Sequence, residues 1–257
     1  MGTRWLAWVL LFISLPFAVA KDKRPPAASA DELAATTARG RALFEYDQAA
    51  WHASDALMAT NPSQEGLGRY IARKTDTGWT VAFGHLSGTK DSFLIAYEVT
   101  TGNEPGKYSV KRIQPPRSDS GFFLAAAIAI EVALLDFRGQ QRPYNAAVLP
   151  DGSGRLFVYM YPAQTKTGAI PLGGDVRYLM STDGRSIIDK RQMHKTILET
   201  TRNSPGETVA GVHSHVLTDV PEDTDVFHAI MRRLPEFVGC GGRVYQVLAD
   251  GSIKLTK

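Results

Sequence analysis

A chain of 257 residues, 44% of them hydrophobic, is long enough to bury a core without covalent staples. Its net charge of +3 comes from 29 basic and 26 acidic residues that are scattered along the chain, so the composition excludes the concentrated basic footprint of a nucleic-acid-binding protein. Cys240 is the single cysteine, which excludes an intramolecular disulfide and favours burial as a small apolar side chain.

The first twenty residues have the three parts of a cleaved secretory signal. Arg4 supplies a positive start, residues 6–15 an apolar run, and residues 18–20 a small-residue exit. The apolar run is shorter than the roughly 20 residues of a spanning helix, which disfavours the alternative of a retained anchor. We therefore predict a signal peptide at 1–20, a periplasmic or secreted protein, and no membrane span after cleavage.

A long helix is predicted soon after the signal. Ser29 followed by Glu32 has the spacing of a capping box, so a helix should begin near Ala30. The helix should end by about residue 60, because Asn61 precedes a proline and is pushed out of the helical region. Gly40 could divide the segment into two helices.

Alternating apolar runs separated by turn residues predict a largely antiparallel β remainder. The runs are RYIARK, WTVAFGH, SFLIAYEV, YNAAVL, RLFVYMYPA, DVRYLMS, SIIDKRQM, RVYQVL and SIKLTK. Three Asp-Gly pairs lie between successive runs, and Asp-Gly is a strong hairpin signal. The stretch 102–121 looks loop-like at both ends, and the glycine-rich stretch 168–176 is interpreted as a turn because it lacks a phosphate-binding fingerprint.

A second helix is predicted at residues 122–137, which are apolar on nearly every side and should therefore be buried. Glu131 interrupts this run, and a carboxylate in an apolar helix needs a partner. A salt bridge is the preferred explanation, and a catalytic or metal-binding role is the alternative. Together, the helices and strand runs predict an α+β fold. Residues 21–30, charged and then rich in proline and alanine, predict a flexible leader, and residues 31–257 a single domain.

The densest polar cluster of the chain is GVHSHVLTDVPEDTDVFH, residues 211–228. A strand at 208–215 would point His213 and His215 to one face, because strand side chains alternate with a period of two. Pro221 suits the first turn of a following helix, on which Asp225 and His228 would share a face. The two histidines and Asp225 are therefore predicted to converge.

This arrangement, HSH followed by a helix-opening P-x-x-x-D, resembles the JAMM/MPN metalloprotease motif H-x-H-P, loop, P-S-x-x-D. His213, His215 and Asp225 match by type and order, while Val216 replaces the proline and Glu222 the serine. The resemblance implies a zinc ion held by those three residues. It also implies an upstream glutamate that acts on the water at the ion, which the sequence does not identify.

The residue types point to the same chemistry without the resemblance. Zinc takes nitrogen and oxygen ligands, and a catalytic site uses three protein ligands plus water. Glu222 is the candidate catalytic residue, as proton acceptor, with Asp223 as its alternative, and Asp219 could replace Asp225 as the third ligand. Calcium is disfavoured because the EF-hand spacing and its glycine are absent.

Two functions remain open at this point. One is a metal-dependent hydrolase of amide or ester bonds in a small-molecule or peptide substrate. The other is a non-catalytic envelope or binding protein, in which the acidic residues merely favour a helix N-terminus. His194 follows a predicted strand and could approach the cluster, but a surface histidine is the preferred interpretation.

Overall fold

The computed structural model describes residues 24–101, 106–201 and 208–256, so the predicted signal peptide at 1–20 lies outside the described residues. The helices are α1 (Ala30–Met58), α2 (Phe122–Asp136) and α3 (Asp223–Arg232). The strands are β1 (Arg69–Thr75), β2 (Gly78–Leu86), β3 (Phe93–Thr101), β4 (Tyr108–Asp119), β5 (Tyr144–Pro150), β6 (Leu156–Pro162), β7 (Ala169–Gly173), β8 (Val176–Met180), β9 (Ile187–Gln192), β10 (Ile197–Thr201), β11 (Gly211–Ser214), β12 (Glu236–Cys240), β13 (Arg243–Val247) and β14 (Ile253–Leu255). The α+β prediction is confirmed.

The strands form four sheets, with the orders β1-β2-β3-β4, β5-β6-β8-β9, β10-β7 and β11-β12-β13-β14. Every strand pair but one is antiparallel. The exception is β11 with β12, which run parallel and are connected through α3. A parallel pair needs such a crossover, and this one places the end of β11 beside the start of α3.

The first two sheets lie between α1 and α2. Neighbouring residues of one strand belong to different cores: Ala72 and Val81 pack with α1, whereas Ile71 and Ala82 pack with α2. This is the period-two alternation of a strand that is covered on both faces. A third core lies under α3 and contains Cys240, which is free and buried as predicted.

α1 begins as predicted, with the Ser29 backbone N–H donating to Glu32 Oε2 at 2.8 Å in a complete capping box. The helix runs through Gly40 without a break. A Cβ atom at Gly40 would lie 2.4 Å from the Cβ of Val226, so the glycine permits the close approach of α1 and α3. In the predicted leader, the Ala28 N–H donates to the Tyr245 hydroxyl at 3.0 Å and the Pro25 carbonyl accepts from Arg243.

α2 is buried on all sides at residues 126–130 but exposed in its last turn, which corrects the prediction of a helix buried along its whole length. Leu135 is 74% exposed, and Leu134 is 47% exposed. Glu131 pairs with Lys90 at 2.9 Å, so the salt-bridge interpretation is confirmed. None of the helices in the described residues is both long enough and apolar enough to cross a bilayer.

Five strands were missed or misplaced by the sequence patterns: β4, β7, β10 and β12 were not predicted as strands, and β11 is shorter than predicted. β7 replaces the turn predicted at 168–176 and pairs with β10, 24 or more positions along the chain. β4 fills most of a stretch whose prolines argue against a strand, which is tolerated because β4 is a sheet edge. The strand predicted at 208–215 is confined to β11.

Candidate metal site

Four side chains bring one ligand atom each to a common point: His194, His213, His215 and Asp225, whose ligand atoms all lie within 4.8 Å of one another. The Nε2 atoms of His194 and His215 are 2.8 Å apart, and those of His213 and His215 are 3.3 Å apart. Asp225 Oδ1 lies 3.0 Å from His213 Nε2 and 3.2 Å from His194 Nε2. Asp225 Oδ2 lies 3.2 Å from His215 Nε2. These three imidazoles and one carboxylate could hold a metal ion.

The crossover from β11 to α3 explains why sequence neighbours meet here. His213 lies in β11 and His215 one residue beyond it, and their shared face is directed toward the first turn of α3, where Asp225 lies. The predicted convergence of these three side chains is present in the structure. His228 shares the α3 face with Asp225 but is not one of the four groups.

His194 joins from a different part of the chain, the connection between β9 and β10. Its side chain is only 13% exposed, so the prediction of a surface histidine is wrong. The sequence held one weak signal for this residue, its position directly after a predicted strand. What the sequence patterns did not reveal is the pairing of β10 with β7, which brings His194 to the site.

An oxygen atom of a neighbouring side chain lies near the Nδ1 atom of each imidazole, so that its Nε2 atom faces the common point. His194 Nδ1 lies 2.9 Å from Asp175 Oδ1, and His215 Nδ1 lies 2.8 Å from Thr218 Oγ1. His213 Nδ1 is 3.8 Å from Glu236 Oε2. Metal-binding histidines in proteins are oriented in this way, by a carboxylate or other oxygen at the second ring nitrogen.

The donor set fits a zinc-sized ion. Zinc–nitrogen bonds of about 2.0–2.1 Å in a tetrahedron put neighbouring donor atoms roughly 3.3 Å apart. The distances between Nε2 and carboxylate atoms, 3.0 to 3.2 Å, and between the imidazole nitrogens, 2.8 to 3.3 Å, are close to that value. The spacing is thus compatible with one ion, although the four donor atoms as a set are only within 4.8 Å of one another.

The charges of the site favour cations strongly. Burial by itself would lower the pKa of His194, but the carboxylates of Asp175 and Asp225 raise that pKa to about 11. Burial likewise opposes protonation of His213, and its hydrogen bond to Asp225 together with the nearby Glu236 carboxylate raises its pKa to about 9. Although burial disfavours its charge, the Asp225 carboxyl has a pKa well below the usual value because the histidines surround it. A metal ion and protons therefore compete for the same negative field.

The four donors lie at the base of an open cleft of about 250 Å³, the metal cleft. Its walls include Leu172, Leu198 and Leu217, and its floor is formed by His213 and Asp225. His213 is 20% exposed while Asp225 is 2% exposed, so a molecule that enters the cleft reaches the histidine side of the cluster.

The other predicted acidic residues lie outside the four-residue group. Arg191 binds both carboxylate oxygens of the buried Glu222, with Nη2 2.6 Å from Oε1. Asp223 is fully buried and faces α1, where the Arg39 guanidinium lies 2.9 Å away. Asp219 is exposed. A catalytic role for Glu222 stays a prediction.

Comparison with known proteins gives no match to the chain among family models, curated proteins or solved structures. The resemblance to the JAMM/MPN motif consequently stays a prediction that rests on residues 213–225, and the chemistry of the site has to be argued from its own geometry.

Proposed function

We propose that this is an exported metal-dependent hydrolase that cleaves an amide or ester bond in a peptide or small-molecule substrate, with zinc as its ion. The observation that supports this most is the convergence of three imidazole Nε2 atoms and the Asp225 carboxylate at the base of an open cleft. The likeness to the JAMM/MPN motif, with His213, His215 and Asp225 as ligands, points the same way. Export rests on the sequence of residues 1–20.

A zinc ion in this position would supply a Lewis acid that lowers the pKa of water towards about 7. The protein's own contribution is to hold the imidazoles by their Nδ1 atoms and to keep the carboxylate dry. Glu222, predicted as the proton acceptor, would have to leave Arg191 to take part. Glu222 is not among the described residues that line the cleft; the carboxylates that do are Asp225 and Glu236, and Glu236 pairs with Arg232.

One observation favours a second candidate, a structural ion in a non-catalytic envelope or binding protein. Catalytic zinc sites normally have three protein ligands and an open position, whereas four protein ligands close a structural site. Here four donors are within reach, because His194 adds to the three that the motif requires.

Metal analysis of the purified mature protein tests the shared part of both candidates. We expect about one zinc per chain, lost in His213→Ala and His215→Ala but retained in His52→Ala, which changes an exposed histidine outside the cluster. A protein that purifies and stays metal-free after incubation with zinc would contradict both candidates.

Hydrolysis separates the two candidates. The loaded protein is assayed against a panel of chromogenic esters and peptide amides, with chelator treatment and zinc reloading as the reversibility control. Activity that follows zinc content supports the hydrolase, and Glu222→Gln should then keep the zinc while losing activity. Full zinc occupancy with no turnover on the panel would favour the structural ion.

A further inference from the structure

A second cavity of about 750 Å³ lies on the other side of α3 from the metal cleft. It is an open cavity lined by residues of α1, β5, β6, β7 and α3 and of the segment that leads into β7. The residues that matter for its chemistry are Asp47, Trp51, Tyr70, Asn145, Tyr161 and Lys166. His228 lines both the second cavity and the metal cleft, so the two spaces are neighbours that a single side chain separates.

Asp47 is the acidic group of the second cavity, and it differs from the other carboxylates inside the protein. The fully buried ones all face a cationic or titratable nitrogen: Asp175 and Asp225 face histidines, and Glu222, Asp223 and Glu236 face arginines. Across the described residues, no ion pair reaches Asp47. Its contacts are the Tyr161 hydroxyl, which donates to Oδ1 at 2.8 Å, and Gln48 Nε2, which is 3.5 Å from Oδ2.

A partly buried carboxylate without a counter-ion is costly, because desolvation disfavours its charge. Desolvation raises the pKa of Asp47 in this structure, against the opposing hydrogen bond from Tyr161. The second cavity therefore contains a carboxylate that forms no ion pair with any described residue, and the favourable charge that acts on it comes from His52, beyond ion-pair distance. Lys166, the basic residue of the lining, is exposed.

Two further polar groups of the lining have unused hydrogen-bonding capacity. The Tyr70 hydroxyl and the Asn145 side-chain amide form no hydrogen bond with any other described residue. Both can accept a hydrogen bond from an N–H donor. The rings of Trp51, Tyr70 and Tyr161 add aromatic surface, which attracts cations through the negative face of the ring.

We propose that the second cavity binds a small organic cation, a primary alkylammonium group, with Asp47 as its counter-ion. The three N–H donors of such a group match the Asp47, Tyr70 and Asn145 acceptors, and its alkyl chain matches the aromatic rings. An anion would be repelled by the Asp47 carboxylate, and a neutral alcohol would supply no counter-charge to it. The proposal stands on residues outside the metal cleft and does not depend on metal binding.

Calorimetric titration of the full protein with n-pentylamine, pentan-1-ol and pentanoate at equal ionic strength tests the proposal. We expect saturable binding of the amine alone. Asp47→Asn keeps an acceptor for Tyr161 and should weaken amine binding at least about tenfold, because a hydrogen bond to a charged group is replaced by a neutral one. Asp55→Asn removes an equal charge from an exposed position of α1 and should leave the affinity unchanged.

Two further variants keep the result interpretable. Asn145→Ala leaves Asp47 intact and should weaken binding severalfold, while His213→Ala, in the metal cleft, should bind the amine as the parent protein does. Equal binding of amine and alcohol would overturn the proposal, as would an unchanged affinity in folded Asp47→Asn or no saturable amine binding.

Discussion

Two carboxylates in the first turn of α3 lie two residues apart and have opposite surroundings. Asp223 is bound by the guanidinium groups of Arg39 and Arg177 and by the Tyr159 hydroxyl at 2.8 Å. Asp225 is bound by three imidazoles at the base of a cleft. Guanidinium groups keep their protons at every physiological pH, whereas imidazoles exchange theirs for a metal ion.

The difference teaches how one helix turn can serve two purposes. The partners of Asp223 come from α1 and β8, so its ion pairs fasten α3 between the long helix and a sheet. The partners of Asp225 come from β11 and the connection before β10, and their exchangeable protons leave room for a cation. Both carboxylates are buried, so the chemistry of their partners distinguishes a carboxylate that joins elements of the fold from one that could hold a metal ion.

Replacing Asp223 should give the largest effect. In Asp223→Asn two partly buried guanidinium groups lose their fully buried counter-ion, which should lower the free energy of unfolding by about 3 kcal/mol. Urea denaturation measures this change. The folded fraction should still bind zinc, since the four donors are untouched. A loss below about 1 kcal/mol would show that the ion pairs do not fasten α3.

Replacing Asp225 should affect zinc binding more than stability. Asp225→Asn removes the anionic ligand and should weaken zinc binding by at least about 100-fold, more than the 10- to 100-fold that loss of an outer partner costs. Competition with a fluorescent chelator measures the affinity. Zinc affinity equal to that of the parent protein would mean that Asp225 is not a ligand and that the two carboxylates play the same structural part.

Asp175 sharpens the comparison, since it acts on the cluster only through His194. Asp175→Asn should weaken zinc binding about 10- to 100-fold, because His194 loses the carboxylate that orients its ring. The exposed carboxylate Asp183 is the matched control, and Asp183→Asn should have no effect. If Asp175→Asn changes stability but leaves zinc affinity intact, His194 is not a ligand and the site has three protein donors.

The pH dependence of zinc binding should show which partners exchange protons. The pKa values of His194 and His213, raised to about 11 and about 9, mean that both rings carry a proton at pH 7 without a metal. Zinc must displace these protons, so affinity should fall as the pH falls, and binding at pH 7 should release about two protons. Calorimetry in buffers of different ionisation heat counts them. Proton release near zero would contradict exchange at these rings.

Local patterns predicted those parts of the molecule that local interactions determine. The Ser29–Glu32 capping box, the hairpins at Asp-Gly pairs and the convergence of His213, His215 and Asp225 all depend on residues close in sequence. His194 lies in the connection between β9 and β10, and β10 is placed by its pairing with β7, 24 or more residues earlier in the chain. Pairing over such distances leaves no periodic mark in the sequence, so the fourth donor could not be predicted.

The contacts of Pro25 and Ala28 with Arg243 and Tyr245 join two segments that are 217 residues apart. Closing so long a loop costs more chain entropy than forming any hairpin in the molecule, and the segment that receives Ala28 is synthesised late. We therefore expect the segment around Ala28 to attach to the β13 hairpin after the hairpins themselves have formed, and an added sequence close to Pro25 or Tyr245 to interfere with this attachment.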